Sequence, residues 1–294
     1  MRLPTVILDG KKLPRMIFSI QPPTPKGHQE ISSLMKKTYE MGASCFDLPT
    51  ARHLASLKEL RELMNDETLM GLSRLDAEVG ASLLGKPIHQ FESKIISTIR
   101  KDFLPSHLTR NILPPSSSSE VFTQKEIDRI AFDPFRFDKA LSLFDPQESP
   151  FLLIGEKYGD WLLALGRIDL LHGMVSAARG RGFIPIFSGQ WATFVLPKAK
   201  SLDVAAYAIP INKRRALFDL QRASELIKRF EKPVISLNPL DGGKFSKESE
   251  GAFSFLFDEL KVYAAIVGIA SEEEARRIIE VLIKFPSLIP PRKT

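Results

Sequence analysis

Long apolar runs are missing from this chain. No stretch approaches the ~20 consecutive apolar residues that a membrane-crossing helix needs. The opening residues, MRLPTVILDGKK, also lack the apolar core of a secretory signal. Cysteine is nearly absent, with Cys45 alone among 294 residues. One cysteine excludes an internal disulfide and fits a reducing, cytoplasmic setting. Cys45 sits in an apolar strand pattern with no thiolate-stabilising neighbour in sequence, so it reads as a core residue. The histidines His28, His53, His89, His107 and His172 are scattered. They form neither H-x-H nor H-E-x-x-H, which excludes the ligand sets of a barrel metallohydrolase and leaves no metal expected. No G-x-S-x-G elbow and no phosphate-binding Walker loop occurs. Glu156 stands where a strand ends, as in glycosidase or aldolase-type barrels, but no second carboxylate has a readable separation from it.

Basic residues outnumber acidic ones by 41 to 35, a formal charge of +6. They fall in short pieces such as Lys11–Lys12, Lys36–Lys37, Lys213–Arg215 and Arg276–Arg277. Without a long basic tract or interleaved aromatics there is no specific nucleic-acid partner to expect. A small molecule, anionic if charged, suits this balance better.

What the chain does have is a rhythm of short apolar strands and amphipathic helices. Val6–Leu8, the Asp9-Gly10 turn and the residues after it predict a hairpin. Strands are predicted at Met16–Ile20, Ser44–Leu48, Thr68–Ser73, Phe151–Gly155, Phe183–Phe187, Val204–Ile209, Val234–Leu237 and Ala264–Ile269. Helices are predicted around Ile31–Met35, over Arg52–Met64 and Phe135–Phe144, and as one helix from Trp161 to Val175. Two more carry Leu217–Phe230 and Ala275–Ile283. Eight strands alternating with helices predict parallel βαβ units, and eight is the number that closes a (β/α)8 TIM barrel. A Rossmann sheet is the alternative. Its G-x-G-x-x-G fingerprint is absent, because Ser19-Ile20-Gln21-Pro22 follows the first strand.

One segment breaks the rhythm. Residues 75–134, after the third strand, are too long for a turn and include a helical stretch Phe91–Arg100 and the run Leu113-Pro-Pro-Ser-Ser-Ser-Ser119. An insertion there falls on the C-terminal face of a barrel. It reads either as a lid over the barrel mouth or as an embellishment. The whole chain, 1–294, reads as a single barrel domain carrying this insertion and an N-terminal hairpin.

Three motifs carry a family resemblance. Gly42-Ala-Ser-Cys-Phe-Asp47 resembles a G-x-x-x-F-D second strand. Asn238-Pro-Leu-Asp-Gly-Gly243 resembles an s-P-L-x-x-G loop after strand seven. Ile266-Val-Gly268 precedes an acidic helix start. In this order and spacing they resemble the aldo/keto reductases, over nearly the whole chain apart from the insertion. The resemblance implies a TIM barrel, NADP(H) as cofactor and hydride transfer to a carbonyl. In that family a tyrosine donates the proton, tuned by a lysine and an aspartate, with a histidine orienting the carbonyl.

By the resemblance, Asp47 matches the aspartate, while Arg52 stands for the tyrosine, Arg74 for the lysine and Glu156 for the histidine. An arginine cannot replace a tyrosine as proton donor, because its pKa stays above ~12. Tyr158 and His53 lie near in sequence, with no spacing that puts either in the gap. If Asp47, Arg52, Arg74 and Glu156 converge, they make either a site for a carboxylate or phosphate or a salt-bridge network filling a degenerate site. The resemblance also implies cofactor-binding roles for Ser188, Asn212, Leu240, Gly243, Ser271 and Arg276. Against this, Ala270 replaces a lysine and Glu272-Glu273-Glu274 would repel a phosphate. Ser271-x-x-Glu274 also reads as a capping box. Three functions stay open: an NADP(H)-linked oxidoreductase with a degenerate site, a non-catalytic barrel acting as sensor or partner protein, and a repurposed enzyme for an anionic small molecule.

Overall fold

A computed structural model describes residues 3–21, 27–102, 118, 120–216, 219–244 and 248–283. Strands β1 (Thr5–Leu8) and β2 (Lys11–Pro14) form the antiparallel hairpin. Its turn places Asp9 and Gly10 at φ 50° and 80°, the left-handed pair that Asp-Gly adopts readily. There follow β3 (Met16–Ile20), α1 (His28–Glu40), β4 (Cys45–Leu48), α2 (Ala51–Met64) and β5 (Met70–Asp76). The insertion holds β6 (Ala81–Leu83), β7 (Lys86–Pro87), α3 (Glu92–Asp102), α4 (Gln124–Asp128) and β8 (Ile130–Phe132). Beyond it come α5 (Pro134–Leu141), β9 (Phe151–Gly155), α6 (Glu156–Ala164), α7 (Ile168–Gly180), β10 (Ile184–Ser188) and α8 (Ala192–Lys198). The chain continues with β11 (Ala206–Asn212), β12 (Arg215–Ala216), α9 (Leu220–Arg229), β13 (Val234–Leu237), α10 (Ser249–Ser254), β14 (Ala264–Ile269) and α11 (Glu272–Ile283).

Eight of these strands close a parallel ring in the order β3-β4-β5-β9-β10-β11-β13-β14, with β14 pairing back onto β3. This is the (β/α)8 barrel, with its N-terminal hairpin. Inside the ring, Ile17, Cys45, Leu72, Phe151, Leu153, Ile186, Ile235 and Ala264 form one apolar cluster. Val6, Leu8 and Leu13 of the hairpin join that cluster and close the N-terminal end. A second, larger cluster fills the layer between strands and helices, with Phe18, Phe46, Ile154 and Phe187 packed against helix residues such as Met35, Leu57 and Met174. Cys45 is buried at 0% exposure, and burial drives its thiol pKa upward, as a core role requires.

Several boundaries differ from the sequence reading. Strand β5 extends to Asp76, past the expected end at Ser73. The stretch from Trp161 to Val175 is two helices, broken where Gly166 takes φ 75°. The insertion contains a three-stranded antiparallel sheet, β7-β6-β8, that periodicity did not announce. Its described part packs on α6 and α7, the flank of the barrel. Phe132 and Phe137 meet edge-on at 5.8 Å, and Phe132 lies against Gly173 of α7. Residues 103–117, with most of the Pro/Ser run, lie outside the described residues.

Candidate active site at the barrel mouth

The centre of the mouth is an ion triad. Arg74 on β5 donates from Nε to Asp47 Oδ1 at 2.5 Å and from Nη2 to Asp47 Oδ2 at 2.9 Å. Its Nη1 donates to Glu156 Oε1 at 2.8 Å. Neighbouring strands β4 and β5 present Asp47 and Arg74, and Glu156 follows β9. Asp47 has 1% of its side chain exposed, Arg74 22% and Glu156 28%. Burial disfavours the Arg74 cation, but both carboxylates outweigh this and hold its pKa above the ordinary value. Three of the five guanidinium N–H groups are thus committed, with two left without a partner among the described residues.

Glu156 owes its position to a tight turn. Gly155 takes φ 129°, and a Cβ there would lie 2.3 Å from the carbonyl oxygen of Ser188. Glu156 itself takes φ 50°. Close by, Asp76 Oδ1 accepts the N–H groups of Glu78 and Tyr158 at 3.2 and 3.3 Å. Burial raises the Asp76 pKa to about 7, with the nearby Glu156 and Glu78 charges adding to the rise. Asp160 is fully buried and accepts from the Gln190 and Trp191 N–H groups at 2.8 and 3.2 Å. Its Oδ1 has no partner among the described residues, and burial pushes its pKa up to about 8. Neither Asp76 nor Asp160 stands out in the sequence: Asp76 ends β5, and Asp160 sits mid-helix in α6.

A cleft of about 510 Å³ opens beside the triad. Its lining includes Arg74, Ser19, Gln21, Gln190, Asn238 and Glu274, with Leu237, Leu240, Ile266 and Ile269 supplying apolar wall. Of the residues singled out in the sequence, Arg74, Leu240 and Gly243 line it. No described residue of the insertion does, so the lid reading has no support among the described residues.

Other expectations are corrected. Asp47, Arg74 and Glu156 converge, but Arg52 does not: it is exposed and makes no ion pair among the described residues. On α2 the inward face runs through His53, Ser56, Leu57 and Leu60, and Arg52 lies one residue, about 100°, off it. His53 does not enter the gap, because its two ring nitrogens meet Ile20 O and Thr50 Oγ1, each at 2.8 Å. Tyr158 donates its hydroxyl to Glu92 Oε2 at 2.8 Å, which together with burial raises its pKa.

The residues expected to hold NADP(H) fit only at the apolar wall. Ser188 is buried off the cleft, although its Oγ has no partner among the described residues. Asn212 Nδ2 donates to Asn238 O at 3.3 Å and does not line the cleft. In the loop after β13, three amides are already used. Asp241 N and Gly242 N donate to Asn238, through its carbonyl and its Oδ1, and Gly243 N donates to Leu240 O. Ser271 Oγ accepts from Glu274 N at 3.2 Å, and Glu274 Oε2 accepts from Ala270 N at 2.8 Å. This is the capping arrangement expected from the sequence, reaching back one residue further than the usual box. Arg276 pairs with Glu272 at 3.1 Å. Three amides of the β13 loop and the Arg276 guanidinium therefore already have partners, and the Glu274 carboxylate stands in the cleft.

Among solved structures, the barrel superposes on Pseudomonas aeruginosa PA4992, assigned to the aldo-keto reductases, with a TM-score of 0.58 at 14% identity, over 95% of this chain and 94% of that one. The fold is that of the aldo/keto reductases. The thermostable aldo-keto reductase Tm1743, solved with the inhibitor epalrestat, gives 0.55 at 12% identity, covering 94% and 93% of the two chains. The aldo-keto reductase AKR11C1 from Bacillus halodurans, in its holo form, gives 0.57 at 9% identity, covering 99% and 94%. No family model and no curated protein sequence matches the chain. The aldo/keto reductase resemblance thus rests on the barrel and the strand-end motifs, at identities that speak for the fold alone.

Proposed function

We propose that this chain is an aldo/keto reductase-type barrel with a degenerate centre, which binds a small polar molecule in its mouth and does not reduce carbonyls. The observation that carries this reading is the triad. A proton donor beside the substrate carbonyl is required for reduction. Here Asp47 and Glu156 are occupied by Arg74, and position 52 turns outward. No phenol lines the cleft among the described residues, and Tyr158 is engaged with Glu92.

The cleft favours binding over chemistry. Its polar lining is the amide ends of Gln21, Gln190 and Asn238, those of Gln21 and Asn238 each with one hydrogen bond already made, and the remaining Arg74 donors, set against apolar wall, which is the usual make-up of a small-molecule pocket. A repurposed anion site is disfavoured, because Arg74 already carries two carboxylates. An NADP(H)-binding oxidoreductase is the second reading. It is favoured by Leu240 and Gly243 on the cleft, and disfavoured by the loop amides and Arg276 already holding partners and by the Glu274 carboxylate on the cleft.

A thermal-shift screen of small polar molecules tests the reading, with Gln21→Trp as a variant that fills the cleft from its rim. Ligands should raise Tm in the native protein and lose most of that shift in the variant. Ligands that bind both proteins equally would remove the cleft as the binding site.

A further inference from the structure

Helices α1 and α2 pack together through a polar cluster that the barrel mouth does not use. His28 and Ser32 come from α1, Ser56 and Glu59 from α2. Each pair is three or four residues apart, so each shares one helix face. His28 Nε2 lies 3.1 Å from Glu59 Oε2, and its Nδ1 lies 3.0 Å from Ser56 Oγ. Ser32 Oγ stands 2.8 Å from Glu59 Oε2, 2.9 Å from Ser56 Oγ and 3.4 Å from His28 Nε2. Ser56 is buried behind the others, which line a groove of about 300 Å³ with Lys36, Leu60 and Leu63.

Contacts in this ring outnumber its protons. Four contacts run round it: His28 to Glu59, Glu59 to Ser32, Ser32 to Ser56, and Ser56 to His28. Each hydroxyl brings one proton, and a neutral imidazole brings one more. One contact between lone-pair atoms is therefore left without a hydrogen. A second imidazole proton fills the deficit, and so does a metal cation.

The geometry suits the cation. His28 Nε2, Glu59 Oε2 and Ser32 Oγ form a triangle with edges of 2.8, 3.1 and 3.4 Å. Zinc bonds of ~2.0–2.2 Å hold ligand atoms about 2.8–3.6 Å apart at angles between right and tetrahedral. With Nε2 on the metal, Nδ1–H donates to Ser56 Oγ, the second hydrogen bond that orients a metal-bound imidazole. One hydroxyl proton then serves the Ser32–Ser56 contact, and no lone pairs are left facing each other. The described residues hold no group of three His, Cys, Asp or Glu side chains placed for a metal. Here a hydroxyl oxygen supplies the third ligand, and the groove leaves room for water to complete the shell. Lys36 lines the same groove, but its long stem lets the ammonium stay in water.

We propose that His28, Glu59 and Ser32 form a zinc site that joins α1 to α2 on the outside of the barrel, with Ser56 orienting the imidazole.

The test is calorimetric titration of the full chain, stripped of metal with EDTA and dialysed, with ZnCl2. It is repeated with His28→Ala, Glu59→Gln, Ser32→Ala and His89→Ala. The side chains of His28 and Glu59 are 42% and 60% exposed, so both substitutions spare the core. His89 is the control. Its Nδ1 lies 3.2 Å from Glu78 Oε2, a second histidine–carboxylate pair, with no hydroxyl bonded to it among the described residues. The expected result is one saturable site with a Kd on the order of micromolar. His28→Ala and Glu59→Gln should each weaken it at least roughly tenfold and Ser32→Ala several-fold, while His89→Ala stays within about twofold of the native chain. No saturable binding at ~1 mM Zn2+ overturns the site and leaves the ring closed by a proton. Affinity unchanged in His28→Ala, Glu59→Gln or Ser32→Ala, or lost in His89→Ala, also overturns it.

Discussion

Arg74 grips Asp47 through two parallel hydrogen bonds, Nε to Oδ1 at 2.5 Å and Nη2 to Oδ2 at 2.9 Å, from one barrel strand to the next. The fork matches the carboxylate, so the pair is rigid as well as strong. It turns the middle of the mouth into a closed electrostatic unit. A lysine in place of Arg74 would offer a point charge and could not hold Asp47 and Glu156 together in this way.

Removing one partner should be costly. Asp47→Ala leaves a mostly buried guanidinium with Glu156 alone, and breaking a buried pair costs roughly 3–5 kcal/mol. The expected loss is about 3 kcal/mol, near the lower end, because Glu156 remains. Urea unfolding followed by fluorescence measures it. A loss below about 1 kcal/mol would mean that the pair contributes no more than a surface one.

Gly155→Ala should be among the most damaging substitutions in the barrel. The φ of 129° and a Cβ 2.3 Å from the Ser188 carbonyl oxygen leave no room for a side chain unless β9 or β10 shifts. Strain of this kind costs roughly 1–3 kcal/mol before the clash is added. Thermal unfolding of the variant should show a large drop in Tm or no folded protein. A Tm near that of the native chain would contradict the turn geometry.

The contribution of Asp76 and Asp160 to stability should fall as pH rises across the acid-to-neutral range. In the fold, Asp76 titrates near 7 and Asp160 near 8, mainly because of burial, against an ordinary value of 3.8. Between the ordinary and raised values these two groups in the native state hold protons that the unfolded chain has released, so their contribution declines with pH there and levels off above about 8. Asp76→Asn should remove its part of that slope up to pH 7, and Asp160→Asn the part extending to pH 8. Tm measured from pH 4 to 9 for the three proteins checks the sign. A native-minus-variant difference that grows with pH would contradict it.

Cys45 should be silent to thiol reagents in the native protein. It is at 0% exposure inside the barrel, and its thiol is held protonated by burial and by the nearby Asp47 charge. Titration with a chromogenic disulfide should show reaction only after denaturant is added. Rapid reaction of the native chain would show that the barrel interior opens.

Much of the barrel was legible from the residues, and for physical reasons. Met16–Ile20, Phe151–Gly155, Val234–Leu237 and Ala264–Ile269 match the observed strands end to end, because the first three are short apolar runs cut off by a polar, glycine or proline residue and the last ends just before the Ser271 helix cap. Strand β5 ran past its expected end because Arg74 and Asp76 find their partners at the mouth, where polarity does not end a strand. The sheet β7-β6-β8 was hidden because its strands are only two or three residues long, too short to show a period.

At the site, chain position was legible and direction was not. Arg52 was placed correctly in sequence, one residue away from the inward face of α2, and that single helical step removes it from the triad. Glu274 is legible as a helix cap, but its place on the cleft depends on the β13 loop folding back opposite it. Asp160 became visible only once burial and its unpartnered oxygen were known.

The central claim is that the Asp47–Arg74–Glu156 triad has replaced the proton relay of carbonyl reduction. The most direct test is oxidation of NADPH and NADH by the purified full chain, with a panel of aldehydes and ketones, followed at the nicotinamide absorbance. The account predicts rates equal to those without protein for every pair. Protein-dependent turnover that is lost in Asp47→Asn would contradict it.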